Sequence, residues 1–161
     1  MIPVMLQASR PLALVVDDDQ DSTSLMAQAL VAAGWQVHAR TGEWAGPDAL
    51  SYLLSADPMP SLVLLDQRMP HLPGTVLLER LQALAVDMSA TAVVIVTGAA
   101  SELRPDWLEA EFGVAVLDKP VSLRTIQRVA EPLRQYLAGH VIGVGLPDPE
   151  AQTFPLEGVR L

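Results

Sequence analysis

The chain has no cysteine. That excludes a disulfide framework and any thiolate-ligated metal site. Basic residues are few: 10 Lys and Arg stand against 19 Asp and Glu, a formal net charge of -9. Binding along a nucleic acid needs clustered Lys and Arg, and no such cluster is present, so no direct nucleic-acid contact is expected. Long apolar runs are also missing. None approaches the roughly 18 uninterrupted apolar residues of a spanning helix. Met1 to Leu6 is too short for the apolar core of a secretion signal and has no basic residue before it. The expectation is a soluble, cytoplasmic protein with no membrane insertion. No internal repeat or low-complexity tract is found.

What is there suits one compact core: 161 residues, 50% apolar and only 18% charged. Two runs are the most informative. Val15-Val16-Asp17-Asp18-Asp19 and Leu64-Leu65-Asp66, the latter followed by Met69-Pro70, are apolar stretches that stop abruptly on carboxylates. A buried strand does this when it delivers acids to one end of a sheet. Carboxylates gathered there repel by roughly 4 kcal/mol per pair at about 4 Å and an effective dielectric of about 20. A cation must sit among them, and a hard divalent ion such as Mg²⁺, held by oxygens, answers that need.

Strand-like runs alternate with helical periodicity along the chain. Leu12 to Val16, Trp35 to Arg40, Leu62 to Leu65, Ala92 to Val96 and Val114 to Leu117 read as strands. Helices are expected over Ser22 to Ala33, about Pro47 to Ser55, from Gly74 onward, about Ser101 to Glu111, and about Leu123 to Leu137. Strand–helix units with strands buried on both faces imply an α/β fold, a doubly wound parallel sheet of five strands flanked by five helices. Sites in such sheets lie at the carboxyl ends of the strands. There the first strand brings Asp17 and Asp18, the third Asp66, the fourth Thr97 and the fifth Lys119. Carboxylates, a cation and a lysine are what phosphoryl transfer requires, because its transition state is stabilised by positioning and charge neutralisation.

These residues resemble the response-regulator receiver domain of two-component signalling. Val15 to Asp18, Leu64 to Gly74, Val96-Thr97 and Lys119-Pro120 match that family's motifs in order and on the expected elements. The resemblance covers about Leu12 to Leu137 and implies the flavodoxin-like strand order 2-1-3-4-5. It implies that Asp66 is the phosphoacceptor, taking its phosphoryl group from a phosphohistidine on a sensor histidine kinase or a histidine phosphotransfer protein. Asp17 and Asp18 correspond to the acidic pair that holds Mg²⁺, with Asp66 and the backbone carbonyl of Arg68 completing the ligands. Lys119 would pair with the phosphoryl oxygens, and Thr97 would offer its hydroxyl and draw the following loop inward. Such a domain catalyses only its own phosphorylation and slow dephosphorylation.

Residues 1–11 are expected to form an N-terminal extension, 12–138 the receiver domain, and 139–161 a flexible or partner-docking tail, with Val141 to Leu146 able to add to a sheet edge. No output domain is expected after it. A single-domain regulator of this kind would act by switching the binding of a downstream protein. The alternative is a pseudo-receiver or scaffold controlled by protein contacts without phosphate.

Several departures from the family bear on that choice. Val116 stands where Tyr or Phe is usual, Val121 replaces the aromatic after Lys-Pro, and Pro73 precedes Gly74 where an Asp is common. Arg68 places a guanidinium two residues past the acceptor, able to pair with an acid or attract phosphoryl oxygens, and is expected to alter the lifetime of an aspartyl phosphate. Asp19 and Asp21 read as helix N-terminal residues favoured by the macrodipole.

Other metal motifs fail on detail. An EF-hand reading of Asp17-x-Asp19-x-Asp21 meets Ser22 in place of Gly and Gln28 in place of the closing Glu. The dehalogenase-type Asp-x-Asp pattern, with Asp17 as nucleophile, has its lysine and second acid pair elsewhere. His38, His71 and His140 lack ligand spacing and read as surface residues, and none of Trp35, Trp44 and Trp107 stands beside Asp66. Glu102, Asp106 and Glu109 of the fourth helix and Arg124 and Arg128 of the last read either as solvated helix faces or as a homodimer face through the fourth helix, fifth strand and last helix, with Trp107 on the same fourth helix.

Overall fold

Side-chain alternation along each strand decides the layers. The computed structural model describes residues 10–104, 108 and 113–141. In β1 (Leu12–Asp17), Leu14 and Val16 enter one core cluster while Ala13 and Val15 enter another, and all four are fully buried. β3 (Leu62–Leu65) divides the same way, with Val63 and Leu65 on one side and Leu62 and Leu64 on the other. A strand apolar on both faces must be covered twice. α2 (Ala45–Ser55) and α3 (Gly74–Ala83) cover the first face through Ala49, Leu53, Leu77 and Leu81. α1 (Gln20–Ala32) and α4 (Leu123–Val141) cover the second through Met26, Leu30, Ile126 and Ala130.

The five strands, completed by β2 (Gln36–Thr41), β4 (Ala92–Thr97) and β5 (Ala115–Asp118), run parallel in the order β2-β1-β3-β4-β5. Register aligns their carboxyl ends: Asp17 pairs with Thr41, Val16 with Leu65, and Thr97 with Asp118. The doubly wound sheet and its strand order are therefore as expected. Four α-helices are described. The fourth expected helix falls mostly outside the described residues, which show a 3₁₀ turn at Ala100–Glu102 where it was expected to begin. Asp106, Trp107 and Glu109 lie outside them too, as do the extension up to residue 9 and the tail beyond residue 141.

Boundaries moved for local reasons. α1 starts at Gln20, not Ser22, because the Asp19 side chain accepts the Ser22 N–H at 2.9 Å and acts as the cap. α2 begins at Ala45, ahead of Pro47, which still lies in the first turn where a missing N–H costs nothing. α4 runs through Ala138 and Gly139 to Val141, beyond the end expected at Leu137. Trp35 precedes β2 and is 1% exposed, packed with the cluster beneath α1 and α4. Among the described residues, no helix is long and apolar enough to cross a membrane.

Candidate functional site

The carboxyl end of β1 carries Asp17, fully buried, and the half-buried Asp18. Asp66 follows directly on β3, 5% exposed, with its backbone N–H donating to the Val16 carbonyl at 2.8 Å so that it is drawn beside β1. Carboxylate oxygens of Asp17, Asp18 and Asp66 come within 4.8 Å of one another. Lys119 leaves the end of β5, where its backbone N–H donates to the Thr97 carbonyl at 2.9 Å. Its Nζ donates to Asp17 Oδ2 at 2.7 Å and lies 3.5 Å from Asp66 Oδ1. Residues from three strand ends, up to 102 positions apart in sequence, thus share one crevice.

The charges are frustrated. Burial pushes the Asp66 carboxyl up to about 6, and the neighbouring Asp17 charge adds to the shift against the opposing pull of Lys119. Asp17 is also raised, first by burial, with the Lys119 hydrogen bond and the Asp19 N–H at 2.9 Å drawing it back. Burial disfavours the Lys119 ammonium, but the hydrogen bond and charge of Asp17, with the charge of Asp66, hold its pKa above the usual value. One ammonium against three carboxylates leaves the crevice short of positive charge. All the donors are oxygens, so the set fits a hard divalent cation and not a soft one.

Thr97 ends β4 almost fully buried, and its Oγ1 accepts the Ala99 N–H at 3.1 Å. That leaves the hydroxyl proton free to donate. Arg68 lies in the loop after Asp66, where its guanidinium pairs with Glu102 of the turn after β4. The two exposed side chains span a cavity of about 520 Å³ that is lined by the loop and the turn, beside the acid cluster. Glu102, expected to face Arg124 or Arg128 of a second copy, is thus engaged within its own chain, while both arginines lie exposed on α4. Val116 is 7% exposed and packs among Val93, Ile95 and Val114 on the α2/α3 face.

Three features escaped sequence reasoning. Thr23, in α1, is buried, and its hydroxyl lies 3.1 Å and 2.9 Å from the carbonyls of Asp17 and Asp19 and 3.2 Å from the Thr41 hydroxyl, bracing the acidic turn. Gln67 binds the first turn of α3 through its side chain. Of the histidines expected at the surface, His71 is exposed and His38 is not, and both make specific contacts. His38 is half-buried with Nδ1 2.8 Å from the Tyr52 hydroxyl, and His71 stacks on Trp44 at 4.0 Å while its Nε2 lies 3.1 Å from Glu43. Trp44 therefore touches the loop that follows Asp66. No spacing rule marks such contacts between distant loops.

Gly74 has a steric role at this site. A Cβ there would stand 2.4 Å from the Asp66 carbonyl oxygen, so α3 approaches Asp66 as only glycine allows. Gly74→Ala is expected to cost at least about 2 kcal/mol, because the clash is with backbone that cannot yield. Chemical denaturation with an unchanged midpoint would contradict this.

An acid cluster beside a lysine, at the strand ends of a doubly wound sheet, defines a class of phosphoryl-accepting switch. Comparison with known proteins bears this out. The family model described as response regulator receiver domain matches residues 13–131, most of the chain, and the chain belongs to that family. Among solved structures, a CheY-like response regulator receiver domain protein from Methanospirillum hungatei is 26% identical, with a TM-score of 0.65 over 81% of this chain and 99% of its own. A CheY-like receiver domain from Methylobacillus flagellatus is 23% identical, with a TM-score of 0.64 over 78% and 99%. The receiver domain of a Francisella response regulator is 21% identical, with a TM-score of 0.63 over 80% and 99%. The latter two show the fold alone. No curated protein sequence matches the chain.

Proposed function

We propose that Asp66 accepts a phosphoryl group from a phosphohistidine, carried by a sensor histidine kinase or a histidine phosphotransfer protein, and that this changes how the domain binds a downstream protein. The observation that carries the proposal is the setting of Asp66: a buried carboxylate beside Lys119 and two further acids. With a pKa of about 6, it is still largely ionised near neutral pH and so available as a nucleophile.

In the transfer, a carboxylate oxygen of Asp66 forms a bond to phosphorus while the phosphorus–nitrogen bond of the donor breaks. The leaving imidazole takes up a proton from solvent. Asp66 Oδ1 accepts the Gln67 N–H at 2.9 Å and faces Lys119, which leaves Oδ2 as the oxygen with electrons to offer. Lys119 then pairs with the phosphoryl oxygens, matching added negative charge. Thr97 donates its free hydroxyl proton to a phosphoryl oxygen, and since the same oxygen holds the Ala99 N–H, its movement pulls the loop after β4. Asp17, Asp18 and Asp66, with the Arg68 carbonyl, would hold Mg²⁺, whose charge offsets that of the phosphoryl group. Hydrolysis reverses the state: water attacks phosphorus, releasing inorganic phosphate and the Asp66 carboxylate.

Val116 speaks for the second reading, a scaffold controlled without phosphate, because the position offers no ring to move between states. The retained acids and lysine favour the first. Incubation with a small acyl phosphate and Mg²⁺ separates them: the proposal expects one phosphate mass increment, dependent on Mg²⁺ and lost in Asp66→Asn. No increment on the wild-type chain would favour the scaffold.

Arg68 tunes the lifetime of the product. Its exposed guanidinium pairs with Glu102 and lies within range of the Asp66 charge, and swung towards the acceptor it can shield phosphoryl oxygens from water. Arg68→Ala is expected to speed decay by up to about five-fold, which is what an exposed contact of about 1 kcal/mol supplies. Equal decay rates in the two proteins would remove this role.

A further inference from the structure

We infer that Gln67 and Thr75 form a clamp that positions Asp66 for phosphorylation, making Gln67 a positioning residue of the reaction. This deepens the phosphoacceptor reading and rests on it. The residue that caps α3 is Pro73, which has no side-chain hydrogen bond to give. Helix N-termini leave backbone N–H groups unpaired, and here two are met from outside the helix. Gln67 Oε1 accepts the Thr75 N–H at 2.9 Å, and its Nε2 donates to Thr75 Oγ1 at 3.0 Å. The Gln67 carbonyl also accepts the Gly74 N–H at 3.0 Å.

Three bonds therefore seat Gln67 on the first turn of α3, and its own backbone N–H is the one that holds Asp66 Oδ1 at 2.9 Å. The absence of a Cβ at Gly74 lets that turn lie against the same peptide. The orientation of the carboxylate is thus referred to a helix packed into the core through Leu77, Leu78 and Leu81, and not to a free loop. Misplacing a nucleophile by a fraction of an ångström lowers the rate of the chemical step without removing any charge from the site.

Gln67→Leu breaks both side-chain bonds, Thr75→Val breaks the hydroxyl bond alone, and Thr75→Ser keeps both. At saturating Mg²⁺ and acyl phosphate, Gln67→Leu is expected to slow phosphorylation about ten-fold and Thr75→Val about three-fold, as loosened positioning requires. Thr75→Ser should match the wild type, and the Mg²⁺ concentration giving half the maximal rate should stay the same in all of them. The double variant should be no slower than Gln67→Leu, because one clamp can be lost only once.

Wild-type rates in Gln67→Leu, or a slowing fully accounted for by weaker Mg²⁺ binding, would overturn the clamp while leaving Asp66 as acceptor. If Gln67→Leu does not fold, the contrast between Thr75→Val and Thr75→Ser decides: a three-fold gap supports the clamp and equal rates overturn it. Absence of any phosphate uptake by the wild-type chain would overturn the acceptor reading, and the clamp with it.

Discussion

Lys119→Met is expected to lower the unfolding free energy at pH 7, without divalent ions, by about 3 kcal/mol. Among the described residues, the lysine is the only cation placed against Asp17, which has no exposure to water of its own. Removing the ammonium leaves a buried carboxylate facing two others, and the cheapest response is for Asp17 to take up a proton. That limits the loss and gives it a pH signature. Burial already raises the Asp17 pKa, and without the ammonium it rises further, so more of the carboxyl is protonated at pH 5 than at pH 7 and the deficit of the variant is smaller there. Saturating Mg²⁺ should return much of the lost stability at pH 7, because a divalent ion among the acids replaces the missing charge. Urea denaturation at both pH values, with and without Mg²⁺, checks this. A loss below about 1 kcal/mol, the same at both pH values, would be the behaviour of an exposed ion pair and would sink the account of the crevice.

Asp66→Asn is expected to do the opposite. The folded-state carboxyl sits at about 6 against an ordinary 3.8. Between those values the folded protein binds more protons than the unfolded chain, so stability falls as pH rises from about 4 to about 6 and then levels. A shift of that size corresponds to about 3 kcal/mol at most. Asn carries no charge and lacks this penalty. Without Mg²⁺, the variant should therefore match the wild type near pH 4 and exceed it by about 2–3 kcal/mol at pH 7. With Mg²⁺ the gap should narrow, since the wild type binds the ion with one more carboxylate. Parallel stability curves from pH 4 to 7 would mean that Asp66 is not held among uncompensated acids.

The sheet was legible because β1, β3 and β4 are apolar on both faces, which only burial between two helical layers explains. The site was legible for a related reason: apolar runs that end on Asp17, Asp66, Thr97 and Lys119 put those residues at one edge of a parallel sheet before any coordinate is known. Such an argument places main chain and says little about where long side chains go. Arg68 turns away to Glu102, Gln67 reaches eight residues along the chain to Thr75, and Trp44 stacks on His71. Each contact joins two loops whose approach is set by packing, such as the seat of Gly46 in α2 against the backbone of Leu72. Helix limits were missed where a cap outweighed local signals, as at Asp19, and where the last helix ran on through Gly139.

Val116 bears on how the proposed phosphorylation would reach a partner. With a small aliphatic residue buried at this position, the proposed switch would rest on Thr97 and on the Ala99 N–H that its hydroxyl oxygen holds. The Arg68–Glu102 pair joins the acceptor loop to the turn just beyond them. A signal leaving the crevice would pass through this turn.

Borohydride trapping tests the central claim most directly. The protein is treated with an acyl phosphate and Mg²⁺ and reduced at once, and the product is mapped by peptide mass spectrometry. An aspartyl phosphate is a mixed anhydride that the hydride converts to homoserine, whereas a free carboxylate is untouched. The account predicts homoserine at position 66 alone, and none when Mg²⁺ is withheld. Homoserine at Asp17 or Asp18, or at no position, would contradict it.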